Sequence, residues 1–70
     1  MKIDELKKVE AYLRRLFAND TIRVKARPRK DDSAEVFVDE EFIGVIFRDD
    51  DEGEVAYQFQ MAILDYDLKE

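Results

Sequence analysis

AEVFVDEEFIGVIF, residues 34–47, decides the fold. Apolar side chains alternate on both sides of Asp39-Glu40-Glu41, the pattern of two strands folded into a hairpin. With Glu40-Glu41 as a two-residue loop, Val38 opposes Ile43, Val36 opposes Val45 and Ala34 opposes Phe47. All six then share one face, and a one-residue slip scatters them over both. Two-residue hairpin loops favour Asn-Gly or Asp-Gly over Glu-Glu, so a longer loop stays open. In this register Phe37, Phe42 and Ile46 point to the opposite face, and Gly44 lies across from Phe37, whose ring can cover it.

Upstream, residues 21–27 alternate: Ile22, Val24 and Ala26 face one way, Arg23, Lys25 and Arg27 the other. Pro28 ends this strand and residues 29–32 turn the chain. Further upstream, Ile3, Leu6, Val9, Leu13, Leu16 and Phe17 recur at helical spacing over residues 3–18, with Lys7, Lys8, Arg14 and Arg15 on the other side. Asn19-Asp20 supplies a stop, since Asn tolerates the left-handed conformation of a helix C-cap. Downstream, residues 48–54 form an acidic connection. Residues 55–64 form a last strand with Val55, Tyr57, Phe59, Met61 and Ile63 toward the core, and residues 65–70 either fray or pack back through Tyr66 and Leu68. The expectation is one α+β domain over residues 1–70. Its N-terminal helix packs on one face of a four-stranded antiparallel meander, and the other face is open.

The segments KKVEAYLRRLF (7–17), TIRVKARPRK (21–30), AEVFV (34–38), EFIGVIFRDD (41–50) and YQFQMAILDYDL (57–68) resemble a family of short alphaproteobacterial proteins catalogued as a domain of unknown function. The resemblance spans nearly the whole chain, and FQMAILD is its most distinctive stretch. It implies a small bacterial, cytoplasmic domain and assigns no activity, cofactor or catalytic residue. The family has a Gly in the hairpin turn where this chain has Asp39 or Glu40.

Seventy residues lie near the lower limit for folding on a hydrophobic core alone. There is no Cys to form a disulfide, which fits a reducing compartment, and there is no His. No apolar run approaches a membrane span, and residues 1–17 lack the apolar stretch of a signal peptide. A cytoplasmic protein is expected. Charged residues make up 43% of the chain. The net charge of −6 divides unevenly: residues 1–30 hold ten Lys/Arg against four Asp/Glu, and residues 31–70 hold two against fourteen.

Catalysis has little to work with. Ser33 has no His to activate it and is expected to be a turn or strand-start hydroxyl. No enzyme activity and no cofactor are expected. The run Asp49-Asp50-Asp51-Glu52-Gly53-Glu54 fails as a calcium loop, because placing Gly53 at loop position six puts Arg48 and Phe59 at the first and last ligand positions. A solvated acidic loop is expected, with no metal ligand assigned.

Two binding surfaces remain. Arg23, Lys25, Arg27, Arg29 and Lys30 make a basic stripe of the kind phosphates require. Pairing Val24 with Val36 sets Lys25 against Glu35 and Arg23 against Phe37, which neutralises part of the stripe, and the net negative charge opposes a polyanion. The other surface carries Phe37, Phe42 and Ile46 on the open face, beside an uncharged edge strand, VAYQFQMAIL (55–64). Such apolar clusters and unblunted edges mark contact sites, although Phe37 covering Gly44 is a purely local alternative. The function expected is a non-enzymatic interaction module, binding itself or another protein. Nucleic-acid or anion binding is the alternative, and no membrane is expected as a partner.

Overall fold

Asp4 and Glu5 near its start and Arg14 and Arg15 in its last turn suit the dipole of helix α1, which spans Ile3–Phe17. The computed structural model describes residues 1–27 and 30–69, with the side chains of residues 30, 31 and 52 outside that description. Four strands follow the helix: β1 (Ile22–Arg27), β2 (Lys30–Val38), β3 (Glu41–Asp49) and β4 (Ala56–Met61). They form one antiparallel sheet in the order β1-β2-β3-β4. The protein is α+β, one N-terminal helix and an open four-stranded meander. Pro28 and Arg29, expected to end β1 and lead its turn, lie outside the described residues.

The helix stops differently from the sequence expectation. Ala18, not Asn19, takes the left-handed conformation (φ 51°), and its N–H reaches the carbonyls of Arg14 and Arg15. Asn19 acts one step later. Its Oδ1 accepts bonds from the Thr21 N–H (2.8 Å) and the Thr21 hydroxyl (2.6 Å), turning the chain into β1.

The hairpin corrects the expected register. Its loop is Asp39-Glu40, with both residues at positive φ (51° and 69°), the type I′ turn that matches strand twist. Val38 therefore pairs with Glu41 and Phe37 with Phe42. A bulge then places Ile43 as an extra residue, and the ladder resumes with Val36 opposite Gly44, Glu35 opposite Val45 and Ala34 opposite Ile46. One inserted residue inverts every side chain beyond it. Ile46 points into the core at 1% exposure, while Val45 and Phe47 turn to the open face.

The inversion is consistent with β4. Ile46 pairs with Phe59, Arg48 with Tyr57 and Gly44 with Met61, so the inward set of β4 meets the inward set of β3. Gly44 is covered by Phe59 rather than by Phe37. A Cβ there would strike the Gln60 carbonyl oxygen and stand 2.8 Å from Phe59 Cε1. Only glycine allows this approach.

Leu13, Ile22, Val24, Ala34, Val36 and Ile46 form the buried core, with Leu6, Val9, Val38, Ile43 and Phe59 packed against it. Ser33 is a buried strand residue opposite Phe47, not a turn hydroxyl. The acidic connection contains a short 3-10 turn, Asp51–Gly53, with Gly53 at φ 81° and the Asp49 carboxylate accepting the Asp51 N–H. Residues 65–68 form a second 3-10 turn, Asp65–Leu68.

Candidate functional site

The helix is held to the sheet at two places. Near its middle, Glu10 Oε1 accepts the Val24 N–H at 2.9 Å and Arg14 Nε donates to the Ile22 carbonyl at 2.8 Å. In this register even-numbered residues of β1 turn their backbone groups away from β2. Glu10 and Arg14, themselves an i,i+4 ion pair at 3.6 Å, thus occupy the outer edge of the sheet at β1. These two bonds take the Val24 N–H and the Ile22 carbonyl away from any strand that would add at this edge.

The second tie lies at the helix start. The Tyr57 hydroxyl donates to Glu5 Oε2 at 2.6 Å, Arg48 Nε lies 2.9 Å from the same oxygen, and the Lys2 N–H donates to Glu5 Oε1. The Tyr57 bond, then the Lys2 bond, with help from Arg48, outweigh the opposing effect of burial and lower the Glu5 carboxyl to about 2. The same hydrogen bond, followed by burial, raises the Tyr57 hydroxyl above its usual range.

Between these ties the helix leaves part of the sheet uncovered. Leu13 is buried and Leu6 and Val9 touch the core, but Tyr12, Leu16 and Phe17 stay more than half exposed. The apolar stripe of the helix is wider than its contact with the sheet. Its overhanging side and strand β4 enclose a groove of 570 Å³, walled by Tyr12, Leu16, Phe17, Val55, Tyr57 and Phe59. A second hollow of 280 Å³ shares Leu13, Phe17 and Phe59 with it and continues to Ile43 and Met61. Beyond β4, Ile63, Leu64, Tyr66 and Leu68 are all exposed, Tyr66 at 78%. Sequence reading took the helix stripe as core, because periodicity shows which residues are apolar and not how far a neighbour reaches over them.

The expected open-face cluster is divided. Phe37 and Phe42 meet edge to face with centroids 5.8 Å apart, and Phe42 is 51% exposed. Ile46, expected beside them, is in the core on the other side of the sheet, and Phe47 takes its place on the open face. The basic stripe is also compromised. Lys25 pairs with Glu35 and its Nζ stands 5.0 Å from the centre of the Phe37 ring, over the face a nucleobase would need. Arg23 sits opposite Phe37 and Arg27 is half-buried. Arg29 and the Lys30 side chain lie outside the described residues. Among the described residues no group of three or more acidic side chains is arranged to hold a metal ion, and no helix is long and apolar enough to cross a membrane.

The two sheet edges therefore differ: β1 is occupied by helix side chains, while β4 (AYQFQM) carries no charge and borders an apolar groove. No curated protein and no solved structure matches the chain. A family model described as Protein of unknown function (DUF3126) matches residues 5–67, and the chain belongs to that family.

Proposed function

We propose that this protein is a non-enzymatic interaction module that binds a polypeptide along strand β4 and the adjoining groove. The observation that carries this reading is the asymmetry of the sheet. One edge has its Val24 N–H and Ile22 carbonyl taken by Glu10 and Arg14, and the other is uncharged and flanked by exposed Tyr12, Leu16, Phe17 and Val55. Exposed apolar surface of this extent marks contact sites, and strand addition supplies affinity through backbone hydrogen bonds. The lack of His and Cys and the burial of Ser33 support a role without catalysis. The bacterial cytoplasm is the setting this reading assigns, in keeping with the absence of Cys.

A photo-crosslinking residue in place of Gln58, which is exposed on β4, tests it in living cells. The same residue in place of Arg23, on the β1 edge, is the control. A discrete polypeptide adduct from position 58 and none from position 23 is expected. No adduct at position 58, or equal labelling at both, would overturn the proposal.

A further inference from the structure

We infer that the polypeptide bound along β4 is a second copy of this chain. The two copies join β4 to β4 about a two-fold axis, and Ile63 of each covers Val55 of the other. This rests on the interaction reading above and names its partner.

Surface area gives the first argument. A compact monomer of 8.3 kDa exposes about 4,600 Å². This chain exposes 5918 Å², an excess of roughly 1,300 Å² over that scaling. A stable interface removes about 800 Å² from each partner. The chain is also drawn out, at 44 × 23 × 22 Å with a radius of gyration of 12.9 Å, against about 11 Å for a compact chain of this length.

Charge gives the second. Each copy carries −6, so most self-contacts are repulsive. Strand β4 escapes this because residues 55–64 contain no charged side chain, and no antiparallel register over them opposes like charges.

Register gives the third. Centring the pair on Phe59 sets Tyr57 against the second copy's Met61 on the helix face and Gln58 against its Gln60 on the open face. Both copies keep their apolar and polar faces aligned, as a two-fold contact demands. Continuing the ladder by two residues places the second copy's Ile63 opposite Val55, a wall of the groove. Ile63, 64% exposed within its own chain, then covers the end of the groove beside the helix start, where Tyr57 bonds Glu5.

Light scattering from micromolar to millimolar concentration tests the inference, with amide hydrogen exchange on β4. Wild-type protein is expected at twice the single-chain mass, with β4 amides slowing as concentration rises. The Gln58→Lys, Gln60→Lys variant brings four ammonium groups together at the axis, and Ile63→Glu puts a charge in the groove. Both are expected to return to the single-chain mass with an unchanged circular dichroism spectrum, because all three side chains are exposed. Arg23→Glu, exposed on β1 at the far edge of the sheet, is expected to stay dimeric. A single-chain mass for wild type at every concentration would overturn the dimer, as would a dimer lost in Arg23→Glu and kept in the lysine variant. The Gln58 crosslink separates this from failure of the broader reading: an adduct with a different polypeptide removes the second copy as partner and leaves the module.

Discussion

Replacing Glu40 by glycine should stabilise this protein, and the gain can be worked from one turn. Asp39 and Glu40 are both at positive φ, 51° and 69°. A left-handed conformation costs an ordinary L-residue about 1–2 kcal/mol, and Asp less than Glu because its short side chain can bond locally. Glycine removes that strain at position 40 but adds about 0.4–1 kcal/mol of unfolded-chain entropy. The net gain is about 0.5–1 kcal/mol. At an unfolding entropy of about 2.1 cal/mol/K per residue, it raises the Tm of this 70-residue chain by roughly 3–7 °C. Calorimetry of wild type, Glu40→Gly and Glu40→Ala measures it. Alanine removes the same negative charge and keeps the Cβ, so it separates backbone strain from relief of repulsion beside Glu41. An unchanged or lower Tm for Glu40→Gly, or an equal rise for Glu40→Ala, would refute the strain argument.

The Glu5 carboxyl falls from an ordinary 4.5 to about 2, so its contribution is fully present above pH 4.5 and is lost as pH drops through 2. Urea midpoints of wild type and Glu5→Gln should thus differ by a constant amount from neutral pH to about 5 and converge near pH 2; curves that stay parallel throughout would contradict it. Gly44→Ala forces a Cβ against the Gln60 carbonyl and the Phe59 ring and should cost about 1–3 kcal/mol. Urea titration reads the loss, and amide exchange should show β4 loosening before β1 and β2.

Between Phe42 and Gly44, one inserted residue governs the placement of distant side chains. A hairpin without a bulge puts Ile46 on the open face whether its loop is Glu40-Glu41 or Asp39-Glu40, because both registers keep the same faces together. The bulge at Ile43 inverts everything after it. A charged substitution at Ile46 would therefore test folding, not binding. Phe37 and Phe42 do share the open face, but they pack on each other, and Gly44 serves Phe59 instead. The pairing of β1 with β2 was legible, because Arg23, Lys25 and Glu35 alternate with Ile22, Val24 and Val36 and one register satisfies burial and charge together.

Local periodicity by itself determined the element order, the α+β class, the β1–β2 register and the uncharged last strand. These depend on spacings of 2 and 3.6 residues within single segments, where burying one face is enough to choose the conformation. Tertiary structure decided the rest: the bulge at Ile43, the bonds from Glu10 and Arg14 to the β1 edge, and the groove left between α1 and β4. Each depends on how elements far apart in the chain meet. The amphipathic stripe of α1 specifies that a face must be covered, and only the position of the sheet beneath it decides how much of that face remains open.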